Sequence, residues 1–118
     1  MKFDEIKKIV DEMNTSKEEI ELSIKRKIKH LTFAKALIYF YYLAKRDGFV
    51  YPREIAKKLK TITTPRAWQI LNELEKLGLA KRVEMGGDKV FVLKNEKEVE
   101  KWVEEAIGTV KEYKASLW

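Results

Sequence analysis

The sequence predicts a mainly α fold of the α+β class, in which one short β-hairpin follows a series of helices. Apolar residues recur every three or four positions over most of the chain, the spacing of amphipathic helices. After Gly78 this pattern changes to two short β-prone runs around a Gly-Gly pair. With 118 residues, 45% of them apolar, the chain can form one modest hydrophobic core.

Residues 1–31 are predicted to form an N-terminal helical extension. Its first helix covers residues 2–13, and its second begins at a capping signature made by Ser16 and Glu19. The second helix has a narrow apolar stripe, typical of a coiled-coil seam. That stripe consists of Ile20, Ile24, Ile28 and Leu31. The basic run at residues 25–27 fits either the solvated side of this helix or a phosphate-binding patch.

Residues 32–46 are predicted to form a helix that is apolar nearly all round, and therefore buried on more than one face. Gly48 is the expected C-cap. The pattern leaves open whether this helix continues from the preceding one or breaks near residues 30–32.

Two further helices are separated by a four-residue turn. The first covers residues 52–60 and starts at Pro52, where a missing N–H has no cost. After the turn, Thr64 is the predicted N-cap, Pro65 the first helical residue, and Gly78 the stop signal. The apolar face of the second helix comprises Ala67, Ile70, Leu71, Leu74 and Leu77. At about 100° per residue, its opposite face comprises Pro65, Gln69, Asn72 and Lys76.

The end of the chain is predicted to be a hairpin followed by a long helix. Residues 79–84 and 89–93 are the strands, with the turn between them. Residues 94–118 then carry a capping signature at Asn95 and Glu98 and a helix to about residue 116. Apolar residues in this helix follow at spacings of four and three, a heptad seam with Trp102 beside it. The seam is Val99, Val103, Ala106, Val110, Tyr113 and Leu117.

The order helix, helix, turn, helix, hairpin from residue 32 onward resembles the winged helix-turn-helix family. The stretch that carries the resemblance is residues 51–93, YPREIAKKLKTITTPRAWQILNELEKLGLAKRVEMGGDKVFVL. It is similar to MarR/ArsR-type regulators and to small archaeal Lrp-like regulators. Within it, IAKKL resembles the first motif helix, and LNELEKLGLAKR resembles the end of the recognition helix and the first wing strand. The resemblance implies a winged-helix domain over residues 32–93, between the two helical extensions.

The resemblance also implies binding of double-stranded DNA, with the second motif helix in the major groove. Base contacts are then expected from Arg66, Gln69 and Asn72, because Gln and Asn can pair with adenine and Arg with guanine. The remaining expected contacts go mainly to the DNA backbone. They are Arg53, Lys57, Lys58, Lys60, Thr63, Thr64, Lys76, Arg82 and Lys89. Trp68, at the edge of the apolar face, is expected to pack on the hairpin or another helix rather than on DNA.

The distribution of charge agrees with a polyanion-binding surface in the middle of the chain. Residues 32–93 hold 12 basic and 6 acidic side chains, a difference of +6 that equals the net charge of the whole chain. Such a local excess is typical of nucleic-acid binders. A solvated lysine-rich surface explains it equally well on charge alone.

Several function classes are disfavoured by the composition. The chain has no cysteine and one histidine, His30, so disulfides, thiolate chemistry and multi-histidine metal sites are excluded. We expect no enzyme activity, no metal and no cofactor. No apolar run is long enough for a membrane span, and we expect a cytoplasmic protein. The Lys/Glu-rich, cysteine-free composition is typical of hyperthermophiles, so we expect a thermophilic, archaeal source.

The resulting interpretation is a sequence-specific transcriptional regulator that acts as a homodimer through residues 1–31 and 94–118. A monomer whose end helices fold onto the central domain is the alternative. Two other functions stay open. A protein–protein assembly module is favoured by Glu73, Glu75, Glu84 and Asp88, and a sequence-neutral architectural DNA protein by the many lysines. The sequence identifies neither an operator nor an effector.

Overall fold

A computed structural model describes residues 2–13 and 29–117, with side chains for residues 2–13 and 31–112. The predicted helix with Ser16, Glu19, Ile20, Ile24 and Ile28, and the basic run at residues 25–27, lie outside the described residues. The helices are α1 (Phe3–Glu12), α2 (Lys29–Asp47), α3 (Pro52–Leu59), α4 (Thr64–Lys76) and α5 (Glu96–Leu117). The strands are β1 (Ala80–Met85) and β2 (Asp88–Leu93).

Helix α2 forms the centre of the core. All side chains from residue 34 to residue 44 are buried, as expected for a helix without a polar face. The helix is unbroken across residues 30–32 and ends at Gly48, whose N–H donates to the Ala44 carbonyl at φ +86°. Helix α1 packs on it through Ile6, Val10 and Met13.

Helices α3 and α4 form the predicted helix-turn-helix, with one correction at the turn. The N-cap of α4 is Thr63 rather than Thr64: the Thr63 Oγ1 accepts from the Arg66 N–H at 3.3 Å. Thr63 has the extended backbone (φ −86°, ψ 165°) that an N-cap needs, and Pro65 takes the second helical position. Lys60 caps the end of α3 in the left-handed region, at φ +63°.

Strands β1 and β2 pair antiparallel, with Met85 opposite Asp88 across a two-residue turn. Gly86 and Gly87 both have positive φ, +58° and +87°, which a tight hairpin turn of this kind requires. The hairpin has a further backbone partner, Val50, which sequence patterns do not reveal. The Val50 N–H and carbonyl bond to the Phe91 backbone at 2.8 and 2.9 Å, adding a short bridge beside β2.

Helix α5 packs along α2, and this changes the interpretation of its heptad seam. Val99, Val103, Ala106 and Val110 are buried in the chain's own core, so their side chains are not available to a second chain. The seam exists because α5 needs an apolar stripe to cover α2. The predicted capping signature is also different: Asn95 has φ +55°, and its amide donates to the Gly78 carbonyl at 3.1 Å.

Two polar contacts fix the α2–α5 packing at its edge. Tyr41 Oη donates to Glu100 Oε1 at 3.1 Å, and Lys45 Nζ pairs with Glu96 Oε1. Burial, followed by the hydrogen bond to Glu100, raises the pKa of Tyr41 to about 12.

The fold is a winged helix-turn-helix whose outer helices α1 and α5 both pack on α2. The described parts of both predicted extensions therefore share one hydrophobic core with the central domain. No helix among the described residues has the length and apolar character needed to cross a membrane.

Candidate nucleic-acid interface

Helix α4 separates its apolar and polar residues as predicted, except at its C-terminal end. Ala67, Ile70, Leu71 and Leu74 are buried. Leu77 is the exception: it is 48% exposed, because it follows the last helical residue, Lys76. On the other side, Gln69 and Lys76 are exposed and Arg66 and Asn72 are half-buried. We call Arg66, Gln69 and Asn72 the α4 polar face.

The first two residues of the α4 polar face are paired with each other. Arg66 Nη1 donates to Gln69 Oε1 at 3.1 Å, a contact that their spacing of three residues allows on a helix. Glu73 Oε1 lies 4.0 Å from the same arginine nitrogen. The pair lies near the N-terminus of α4, which is the part of a recognition helix that reaches base edges.

Asn72 is linked to the hairpin through Arg82. Arg82 Nη2 donates to Asn72 Oδ1. Glu75 holds the same arginine twice, accepting the Arg82 backbone N–H at 3.0 Å and lying 3.7 Å from its guanidinium. The guanidinium also lies 5.8 Å from the ring centre of Trp68 and 5.7 Å from that of Phe91. These contacts fix β1 against α4.

Trp68 packs against the hairpin, in agreement with the expectation from sequence. Its ring meets Phe91 of β2 edge-on, with ring centroids 5.5 Å apart and an interplanar angle of 71°. This edge-to-face geometry is a favourable one for aromatic pairs. The tryptophan therefore joins α4 to β2 and does not belong to the α4 polar face.

Basic residues on and beside α3 form a cluster around one groove. Lys57, Lys58 and Lys60 are exposed and line a groove of about 480 Å³ with Arg46, and Asp11 and Glu54 place negative charge in the same groove. We call these three lysines and Arg46 the α3 basic cluster. Arg53 is also exposed on α3, and its guanidinium lies 4.2 Å from the ring centre of Tyr51.

Arg46 was not among the predicted contacts, although it contributes to this cluster. It bonds to Asp47 at 2.8 and 2.9 Å, and the guanidinium lowers the pKa of Asp47 below its ordinary value. Its other carboxylate neighbour, Glu54, is 4.0 Å away. Sequence patterns give no signal for Arg46, because it lies in the last turn of α2 and outside the helix-turn-helix.

The hairpin tip carries little free positive charge. Lys89 lies opposite Glu84 in the strand register, and Asp88 opposite Met85, all of them exposed. The carboxylates offset the lysine, so the tip differs from a richly basic wing. Thr63 and Thr64 are both exposed at the start of α4, where the Thr63 hydroxyl oxygen is engaged in capping.

Comparison with known proteins gives one weak structural likeness. No protein-family model matches the chain. No curated protein matches it either. Among solved structures, the crystal structure of the transcriptional regulator Tm0710 from Thermotoga maritima is similar at 18% identity and a TM-score of 0.48, over 97% of this chain and 76% of that one. A likeness at this level says nothing about what the present chain binds.

The predicted dimerisation residues are divided by the structure. Four of the α5 residues are buried within the chain, whereas Trp102 is half-buried. The side chains of Tyr113 and Leu117 lie outside the described residues, as do Ile20, Ile24 and Ile28. Trp102 lines a small groove of about 190 Å³ between α2 and α5, together with Phe33, Ala34, Leu37, Glu105, Ala106 and Thr109.

Glu75 is the residue that sequence reasoning missed most clearly. Its charge in the sequence favours a protein-binding surface, but in the structure it anchors Arg82. The two residues are seven positions apart, on different elements, so no helical or strand spacing connects them. Within the described residues, no group of three or more His, Cys, Asp or Glu side chains is arranged to hold a metal ion.

Proposed function

We propose that this protein is a cytoplasmic, sequence-specific DNA-binding transcriptional regulator that acts as a homodimer. The observation that carries the proposal is the α4 polar face, which presents Arg66, Gln69 and Asn72 at the surface of a helix-turn-helix. These side chains have the hydrogen-bonding groups that contact base edges in the major groove.

Binding would combine two kinds of contact. The α3 basic cluster and Arg53 supply positive charge for phosphates, which gives affinity without sequence information. The α4 polar face reads the bases, and Arg82 and Lys89 contact the backbone beside it. Thr63, Thr64 and Lys76, at the two ends of α4, reach adjacent phosphates. This division of roles is the part of the proposal that a mutation series tests.

An electrophoretic mobility-shift series with genomic duplex fragments at two salt concentrations tests the division. Affinity should fall steeply as salt rises, because phosphate contacts release counterions. Arg66→Ala and Gln69→Ala should each reduce the binding free energy for the preferred fragment by about 1–3 kcal/mol, and that for random DNA by much less. Lys57→Ala should weaken binding to the preferred fragment and to random DNA equally.

The control for this series is Lys97→Ala, which removes one exposed positive charge from α5. It should bind every fragment almost as the wild type does. Equal losses on preferred and random DNA for the three interface variants would contradict the assigned roles. Salt-dependent binding without any preferred fragment would instead support the sequence-neutral architectural protein.

The homodimer is the second part of the proposal. Support comes from the apolar groove around Phe33 and Trp102 between α2 and α5, and from the narrow Ile20, Ile24 and Ile28 stripe in the sequence. Two recognition helices related by a twofold axis would then meet half-sites one helical turn apart. Light scattering after size exclusion tests it: the mass should be twice the 14.0 kDa of one chain. A 14.0 kDa species at micromolar concentration would contradict the dimer.

A protein-assembly module is the second candidate, and exposed apolar side chains favour it. Leu77, at the end of α4, is 48% exposed, and Met85, at the tip of the hairpin, is 42% exposed. Replacing both with serine should leave DNA affinity unchanged if the regulator proposal holds. The same double variant should lose partner binding if the surface serves protein assembly.

A further inference from the structure

The side-chain amides of the α4 polar face have a fixed orientation, because each is paired with an arginine. A guanidinium has five N–H donors and no acceptor, so an amide that bonds to it must present its oxygen. Gln69 therefore turns Oε1 toward Arg66, and Asn72 turns Oδ1 toward Arg82. The orientation follows from chemistry and does not depend on distinguishing nitrogen from oxygen by shape.

This pairing leaves mainly hydrogen-bond donors for a ligand. The amide nitrogens Nε2 of Gln69 and Nδ2 of Asn72 make no hydrogen bond within the described part of the chain, since both bonds use the oxygens. The guanidinium of Arg66 contributes N–H groups beyond the one given to Gln69. The nearby acceptor, Glu73, faces Arg66 at 4.0 Å, which reduces its availability to a base.

A surface of donors distinguishes guanine from adenine in the major groove. In the major groove guanine presents two acceptors, N7 and O6, whereas adenine presents one acceptor and one amino donor. The usual pairing of Asn or Gln with adenine needs the amide oxygen to accept from the adenine amino group. In this protein each of these two amide oxygens already accepts from an arginine, so one of its two lone pairs is occupied.

We propose that the α4 polar face prefers guanine over adenine, and that Arg82 sets this preference by orienting the Asn72 amide. The inference rests on the proposed function and makes it more specific. Arg82 is a positioning residue here: it acts on the base through Asn72, in addition to any contact with the DNA backbone. Glu75, Trp68 and Phe91 hold Arg82 in place for this role.

Selection of binding sites from a pool of randomised duplexes tests the proposal with the full-length protein. The wild type should enrich guanine at the central contacted positions. Replacing one such guanine with adenine should reduce the affinity roughly tenfold, within the range of a good base contact. Enrichment of adenine at these positions would overturn the proposal.

Two variants assign the preference to the Arg82–Asn72 pair. Arg82→Met keeps an unbranched side chain on the Trp68 and Phe91 rings but frees the amide oxygen, so adenine should become accepted at one position. Asn72→Asp keeps the shape but exchanges the donor for an acceptor, so cytosine should replace guanine at the same position. If circular dichroism shows that Arg82→Met does not fold, the isosteric Asn72→Asp decides alone.

Lys97→Met, on α5, is the matched control for loss of a positive charge and should select the wild-type sequence.

The outcomes separate this inference from the proposed function. A selected sequence that is unchanged in Asn72→Asp overturns the inference but leaves a sequence-specific regulator. Salt-dependent binding with no enriched sequence removes both the guanine preference and the sequence specificity. Absence of salt-dependent duplex binding removes the proposed function and the inference together.

Discussion

At the residue scale, Lys60 combines an unfavourable backbone conformation with a place in the α3 basic cluster. Its φ of +63° lies in the left-handed region, where a β-carbon costs about 1–2 kcal/mol and glycine is the usual residue. A lysine at this cap keeps a positive charge beside the turn of the helix-turn-helix. A glycine at position 60 would adopt this backbone conformation more easily, but it would remove the positive charge from the candidate interface.

Lys60→Gly should therefore stabilise the fold and weaken DNA binding. We expect a net gain of up to about 1 kcal/mol in the free energy of unfolding, since relief of the left-handed residue exceeds the added chain entropy. Urea denaturation measures it. The control, Lys58→Gly, lies inside α3 and should destabilise by about 1 kcal/mol. A loss of stability in Lys60→Gly would contradict the explanation.

Leu74 and Leu77 give a second test, because both belong to the apolar pattern of α4 but only one is buried. Leu74 is fully buried, whereas Leu77 is 48% exposed. Leu74→Ala should lower the free energy of unfolding by about 2–5 kcal/mol, and Leu77→Ala should lower it by less than about 0.5 kcal/mol. Thermal and urea unfolding of the two variants measure this. Similar costs would show that the end of α4 packs differently from the structure described.

At the element scale, the helices and the hairpin follow from local patterns, because each has a clear period and clear stop signals. Gly48 and Gly78 end helices where expected, and Gly86 with Gly87 makes the turn. The errors lie where tertiary contacts decide. Asn95 bonds to Gly78 across the fold, and Val50 bridges to Phe91, and neither partner is visible in local spacing.

The heptad seam of α5 shows the same limit. A three–four spacing of apolar residues predicts that a helix has a partner, but it does not say which one. In this chain the partner of Val99 and Val103 is α2, so the pattern of a dimer seam serves an intrachain contact. The candidate site was predictable by residue type, but the pairing of Asn72 with Arg82 was not, since it joins two elements.

The start of α4 provides a prediction at this scale. Thr63 is the N-cap, and its hydroxyl accepts the Arg66 N–H. Thr63→Ala should lower the free energy of unfolding by about 1 kcal/mol, as other N-cap replacements do. Thr64→Ala, one position later in the first turn, should be close to neutral. The reverse order in chemical denaturation would restore Thr64 as the cap.

At the scale of the whole molecule, α2 holds the outer helices together, and its polar edge gives a pH dependence. The raised pKa of Tyr41 means that the fold favours its protonated form. That contribution to stability is complete below the ordinary pKa of 10.0 and is lost as the pH rises from there to about 12. The loss should loosen α5 from α2.

Tyr41→Phe tests this behaviour. At neutral pH it should cost about 1 kcal/mol for the lost hydrogen bond to Glu100. Between about pH 10 and 12 it should lose less stability than the wild type, because no ionisable group remains at this position. Urea midpoints across this pH range measure the difference. Parallel curves for the two proteins would show that Tyr41 does not contribute to the alkaline loss.

Site-directed photo-cross-linking tests the central claim, contact of the α4 polar face with duplex DNA, most directly. A photoreactive residue placed at Gln69 should form a covalent adduct with a bound duplex, and the yield should fall as salt rises. The same residue placed at Lys101, exposed on α5, should give little adduct. Equal yields from the two positions, or no adduct from position 69 while the duplex is bound, would contradict the account.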